Sequence, residues 1–140
     1  WQGPSTPGGS FENPFNAISL LIEAGATFVA RCFSGKLDHL TEVLVQSIQH
    51  KGFSFIEILQ PAVPYHSWEE YREKVEFLDE TPETQEEAFL TAKSKSKYTL
   101  GIFYRIKKPI FHEELYGNWN PVRNRISREK RFQLLKRFLT

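Results

Sequence analysis

The chain has 140 residues, 40% of them hydrophobic and 25% charged, which is enough for one domain with a real core. No apolar run approaches the roughly 18 residues needed to span a bilayer, and no signal-peptide pattern opens the chain. The net charge of +1 hides a division: up to Ala92 there are 5 Lys/Arg against 14 Asp/Glu, and from Lys93 onward 13 against 3.

Residues 1–12, rich in Gly, Pro and Ser, read as loop. Asn13 then caps a helix with Pro14 at its first position; Ile18, Leu21 and Ile22 form its apolar face and Gly25 ends it. Ala26–Arg31 reads as a short strand. Residues 37–50 form a second helix with Leu37, Leu40, Leu44 and Ile48 on one stripe, ended by Gly52. The stretch from His50 to Pro61, HKGFSFIEILQP, is apolar on both faces and bounded by Gly and Pro, the pattern of a central parallel strand covered on both sides. Strand, helix and strand make a βαβ unit with a right-handed crossover. Open sheets of this kind place ligands at the carboxyl ends of their strands.

Beyond Pro61, Ser67-Trp68-Glu69-Glu70 matches a capping box for a helix reaching about Leu78, and Thr81-Pro82 starts another to about Ser94. Tyr98–Ile106 alternates Tyr98, Leu100, Ile102 and Tyr104 against Thr99, Gly101 and Arg105, as a strand nearer an edge does. Residues 107–126 read as a loop or arm carrying Trp119 and Pro121, and Ser127 caps a last helix with Phe132, Leu135 and Phe138 on one side. No internal repeat is visible. The fold class is therefore α/β, a mostly parallel sheet with helices on both faces, over 1–106, followed by a basic arm and helix over 107–140. The basic tail suits nucleic acid or acidic lipid, or its own acidic half or an acidic partner subunit. The structural signals Phe111, Trp119 and Pro121 within it favour the last two, and no nucleic-acid-binding motif is present.

Motifs that carry chemistry are sparse: there is no Gly-rich phosphate loop, HExxH, CxxC or GxSxG. The four histidines (39, 50, 66, 112) are scattered. His50, in the last turn of a helix, suits the helix dipole better than a ligand role. Glu57, inside an apolar strand, needs a partner and is either a structural ion pair or part of a site. Cys32, the single cysteine, excludes an internal disulfide framework and suits a reducing cytosol; following a strand, it is either reactive or, as free cysteines more often are, simply buried. Arg31 and Lys36 flank the carboxyl end of the first strand and face solvent or an anionic partner.

Four pieces in register, ATFVARCFSGKLDHL, IQHKGFSFIEILQP, Tyr65-His66-Ser67-Trp68-Glu69-Glu70-Tyr71 and GIFYRIKKP, resemble the second half of the thiamine-diphosphate-binding β subunit of 2-oxoacid:ferredoxin oxidoreductases. The likeness runs from the first residues to about Pro121. The resemblance implies an α/β fold that binds thiamine diphosphate with Mg²⁺ and a 4Fe–4S cluster. It also implies oxidative decarboxylation of a 2-oxoacid, acyl transfer to coenzyme A and electron transfer to ferredoxin. The implied partners are an α subunit and a second β subunit, in the cytoplasm. Gln2-Gly3-Pro4-Ser5-Thr6-Pro7 resembles the family's Gln-x-Ser-Pro-Thr loop, so Gln2, Ser5 and Thr6 are the implied cofactor contacts. The family's Gly-Asp-Gly diphosphate motif and metal-binding Asn should precede Trp1, so the chain reads as a fragment that by itself is inactive. Where the family has Gln-Pro-Cys, with Cys a cluster ligand, this chain has Gln60-Pro61-Ala62, so no metal ligand carries over at that position. Cys32 could take that role only if the two strand ends lie close together. The alternative function is a non-catalytic α/β assembly module with a basic docking arm.

Overall fold

The sheet is built around the first strand. β1 (Phe28–Phe33) is a six-residue run in which every side chain is buried, Arg31 included. The computed structural model describes residues 7–9, 11, 13–62, 67–117, 119–120 and 122–136. β1 lies between β2 (Ser54–Leu59), parallel to it, and β4 (Thr99–Arg105), antiparallel to it. The two-residue β3 (Glu76–Phe77) pairs in parallel with the far side of β4, giving the order β2-β1-β4-β3. Two of the three pairings are parallel, and helices cover both faces, as an α/β fold requires.

Two strand assignments are corrected. The His50–Pro61 stretch holds a strand, but β2 lies at one end of the four-stranded order rather than in its centre. Tyr98–Ile106 holds a strand that is internal rather than near an edge, and its alternation is interrupted. Val29 lies opposite Tyr104 and Ala30 opposite Ile102, so Phe103 is an extra residue. That bulge turns Tyr104 to the face opposite the one strict alternation assigns it. Gly101, at φ +136°, precedes the bulge, and a Cβ there would sit 3.2 Å from Leu78 Cβ.

α1 (Ala17–Glu23) begins at Asn16, not Asn13, because Asn16 serves two purposes. Its Oδ1 accepts from Ser19 N at 3.1 Å, while its Nδ2 donates to Ala92 O at 2.9 Å, tying α1 to α4 (Gln85–Ser94). Gln85 Nε2 donates to Ile22 O at 3.0 Å and closes the other end of the pair. Together these two helices cover one sheet face, where Ile18, Ile22, Ala88 and Ala92 pack on Val29, Phe103 and Tyr104. α4 starts three residues later than Thr81-Pro82 suggested, since Thr84 and Glu87 form a reciprocal capping box.

α2 (Leu37–Gln49) covers the opposite face, with Val43 and Leu40 against Phe28, Ala30 and Cys32. Only part of the expected stripe is core. Val43 is the buried centre of the helix, while Leu37 and Ile48 are 68% and 81% exposed. α3 (Trp68–Lys74) is capped by Ser67, whose Oγ accepts from Glu70 N at 3.1 Å, and stops four residues before Leu78. The chain beyond it extends to pair with β4, where Thr99 Oγ1 donates to Glu76 Oε1 at 2.7 Å.

The chain divides into two compact units, Trp1–Lys108 and Pro109–Thr140. The second contains α5 (Phe111–Tyr116), a short helix where loop was expected, ended by Gly117 at φ +56°. It also contains α6 (Arg128–Lys136), with Ser127 Oγ accepting from Lys130 N at 3.3 Å as the cap pattern predicts. No helix among the described residues is long and apolar enough to cross a membrane.

Candidate functional site

The carboxyl ends of β1 and β2 open on one side of the sheet, and the segment after β1 is held there by its own polar groups. Ser34 N and Ser34 Oγ both donate to Leu59 O, at 3.0 and 3.1 Å, fastening the end of β1 to the end of β2. Lys36 N donates to Phe33 O at 2.9 Å and closes the turn. Gly35 is required in that turn, since a Cβ would run into the Phe33 ring. The Phe33 ring is the floor of an aromatic cluster: Trp68 lies 5.6 Å away, Tyr71 stacks at 6.0 Å, and Tyr98 meets Tyr71 edge-on at 5.5 Å. Trp68 and Tyr71 reach the same ring because they are three positions apart on α3, which puts them on one helix face.

Beside this cluster, and sharing Trp68 with it, is an open cleft of about 470 Å³ lined by Ser34, Gly35, Leu37, Trp68, Glu69 and Arg72. Its position follows the general placement of ligands in open α/β sheets. Its lining carries both signs of charge, Glu69 and Arg72, and one aromatic ring, Trp68. Ser34 Oγ, on its wall, donates to Leu59 O. The aromatic cluster around Phe33 was not singled out from sequence, although the Trp68/Tyr71 spacing was a usable signal.

The sequence-derived candidates fall in different places. Gln2, Ser5 and Thr6, together with His66 and residues 63–65 of the 62–65 segment in which the resemblance places the family's cluster loop, lie outside the described residues. Arg31 is not at the surface, correcting the solvent-facing expectation. Its Nε donates to Glu57 Oε2 at 2.5 Å, its Nη1 donates to Ser96 O at 3.2 Å, and the guanidinium lies 5.3 Å from the Phe103 ring centroid. The register places Arg31 directly beside Glu57, so the two open readings of that carboxylate resolve to a structural ion pair. Lys36 is exposed, as expected.

His50 is the carboxyl-terminal cap residue of α2. Its Nε2 is 2.9 Å from Thr27 Oγ1, and its ring lies 5.5 Å from that of Phe28. Thr27 Oγ1 donates to Phe53 O at 3.2 Å, so it accepts from His50 Nε2–H and from Phe53 N. Burial, aided by the Arg105 cation, holds the His50 pKa below its ordinary value. His39 is likewise lowered by burial, against the opposing pull of Glu42.

The residues present do not fit a 4Fe–4S cluster. Ala62 is exposed just past β2 and has no donor atom. Cys32 lies beside Ile58 in the register, so the strand ends are indeed neighbours, yet its side chain is buried among Phe28, Ala30 and Val43. Burial pushes the Cys32 thiol up to about 11, whereas a cluster ligand must be a thiolate. Among the described residues no group of three or more His, Cys, Asp or Glu converges as a metal site.

Comparison with known proteins agrees with the resemblance seen in the sequence. No family model matches the chain. It is 31% identical over 134 residues to subunit beta of 2-oxoacid:ferredoxin oxidoreductase 1 from Aeropyrum pernix, covering 84% of this chain and 42% of that protein. It is 40% identical over 81 residues to 2-oxoacid:ferredoxin oxidoreductase subunit beta from Saccharolobus solfataricus, covering 56% of this chain and 27% of that protein. Its fold matches the 2-oxoglutarate:ferredoxin oxidoreductase of Magnetococcus marinus, solved with 2-oxoglutarate, coenzyme A and succinyl-CoA bound. That match has a TM-score of 0.69 at 25% identity and covers 85% of this chain and 46% of that one. The chain is thus similar, in sequence and in fold, to β subunits of 2-oxoacid:ferredoxin oxidoreductases, and it spans less than half the length of these relatives.

Proposed function

We propose that this chain forms the second half of a β subunit in a 2-oxoacid:ferredoxin oxidoreductase, an enzyme that decarboxylates a 2-oxoacid oxidatively and passes the acyl group to coenzyme A. The observation that carries the reading is the similarity over 84% of the chain to a β subunit of that name. The matching fold of the Magnetococcus marinus enzyme agrees with it. Thiamine diphosphate, when bound with Mg²⁺, supplies the nucleophilic carbon and electron sink, and the protein's part is positioning. Gln2, Ser5 and Thr6 then belong to the loop on the active-site face of the cofactor, and the diphosphate and metal contacts come from the part of the β subunit this chain does not span. The cleft at the ends of β1 and β2 supports its side of that face. Residues 107–140 serve as an arm on the α subunit or on a second β subunit, in a cytoplasmic assembly that delivers electrons to ferredoxin. The exposed Phe132 and Leu135 among basic residues of α6 support that role.

The test is 2-oxoacid- and coenzyme A-dependent reduction of a viologen dye by the parent β subunit assembled with its α subunit, and by the 140-residue chain alone. Activity in the assembly that requires thiamine diphosphate and Mg²⁺, and falls at least tenfold in Gln2→Ala or Thr6→Ala, is expected. Activity in the isolated chain, or none in a correctly assembled complex, overturns the reading.

A further inference from the structure

A second cleft, of about 210 Å³, lies between α2, β4 and the segment that runs on from β3. Part of its wall is apolar and belongs to the core, Val43 and Leu100 being buried. Phe77, half exposed, meets the His39 ring edge-on with the centroids 5.0 Å apart. Three carboxylates, Glu42, Asp79 and Glu80, line the cleft, and among the described residues no lysine or arginine does. Arg105 reaches the lining at Gln46, its Nη1 donating to Gln46 Oε1 at 3.0 Å. Burial holds the His39 pKa below its ordinary value, so at neutral pH the charge of the cleft is that of its carboxylates. None of the three has an ion-pair partner among the described residues. Glu83 and Glu86, both exposed, extend the acidic surface into the start of α4. The cleft is smaller than the roughly 300 Å³ at which small-molecule pockets begin, and it has room for one long side chain. An aromatic ring, an apolar wall and unpaired carboxylates together suit arginine. Its stem packs on apolar surface, while its planar guanidinium stacks on a ring and donates to carboxylates.

The chain itself presents such side chains. Arg123, Arg125, Arg128, Lys130 and Arg131 are all exposed, and none has an ion-pair partner among the described residues. We propose that the Glu42/Asp79/Glu80 cleft is the docking site for an arginine from the 123–131 run of a second copy of this chain. The occupant follows from charge: one chain carries both an unpaired acidic cleft and an unpaired basic run. Two copies can therefore make the same contact twice, each basic run on the other's cleft, in a closed two-fold pair. The remaining cations of the run lie against Glu83 and Glu86. The inference rests on the reading of residues 107–140 as an arm and chooses the second β subunit as what that arm meets. It does not rest on the reaction.

The experiment is carbodiimide cross-linking, which joins a lysine amine to a carboxylate it touches, on the parent enzyme assembled from equal parts of isotopically labelled and unlabelled β subunit. Lys130 should be found joined to Asp79, Glu80 or Glu83 in peptides that mix the two labels. Arg125→Gln with Arg128→Gln, both at exposed positions and both leaving Lys130 in place, should lower the mixed-label product about tenfold, as should high salt. Products without mixed label place the run on its own chain, and products with the α subunit place it there. Either of these, no product at all, or a yield indifferent to the two arginines overturns the proposal. An active enzyme without the mixed-label product removes the docking and leaves the functional reading standing. The mixed-label product in an assembly without 2-oxoacid-dependent activity does the reverse.

Discussion

β1 and β2 are neighbouring six-residue strands, parallel and in unbroken register, and each carries an ionisable residue at its fourth position, Arg31 and Glu57. Every side chain of β1 is buried, whereas β2 is half-buried throughout and exposes Ile58. The difference is one of place. β1 has a strand on each side and helices above and below, so burial does not depend on which of its residues is considered. β2 has all of this on one flank only. Apolar composition states what a strand needs, and its neighbours decide how much of that need is met within the chain.

The comparison is broken hardest at Phe28. Phe28→Ala removes a fully buried ring from β1 and should cost about 3–5 kcal/mol, while Phe53→Ala beside β2 should cost about 1 kcal/mol or less in this chain. Urea denaturation of the two variants measures the gap, and similar midpoints would mean that β1 is not the centre of the fold.

Thiol chemistry gives the next largest effect. With its pKa near 11, two units above the usual value, Cys32 has about a hundredfold less thiolate than an ordinary cysteine at pH 8, before burial slows access further. Ala62→Cys, past the end of β2, should label at an ordinary rate in the native protein, with Cys32 labelling only on unfolding. In the parent β subunit the same substitution should raise iron and acid-labile sulfide if the remaining ligands lie in the part this chain does not span. A full four-iron complement with Ala62 in place would show that another donor completes the site.

The Arg31–Glu57 pair joins the two strands and should matter less than the core ring. Glu57→Ala leaves a buried guanidinium without its carboxylate, and since the Glu57 side chain is 31% exposed the cost should be on the order of 2 kcal/mol, below that of breaking a fully buried pair. Arg31→Met with Glu57→Leu should recover part of it, and a double-mutant cycle reads the coupling.

The smallest effect is the pH dependence from His39 and His50. Both have folded-state pKa values below the ordinary histidine value, so the unfolded chain binds more protons in the window just below about 6.5. Their contribution is fully present above that value and is lost as pH falls through it toward the folded pKa. His50→Asn, which keeps a donor for Thr27, should flatten part of the fall in urea midpoint between pH 7.5 and 5.5. An unchanged slope would place the effect elsewhere.

What the sequence determined by itself was local. The caps at Ser67 and Ser127, the span of α2, the carboxyl end of α4 and the strand–helix–strand succession are encoded within a turn or two of backbone, and all are present. The likeness to β subunits was legible for a related reason, since it rests on residue types in order along the chain. Tertiary structure decided what depends on a distant partner. Asn16 displaced Asn13 as a cap because Ala92 O lies within reach of its side-chain amide. Glu76 and Phe77 became a strand because β4 offered an edge, and Arg31 went inside because β2 set Glu57 beside it. The order of strands settled the rest: periodicity records that β2 and the Leu37/Leu44/Ile48 stripe call for cover on two sides, but only the placement of the neighbouring elements fixes which side receives it.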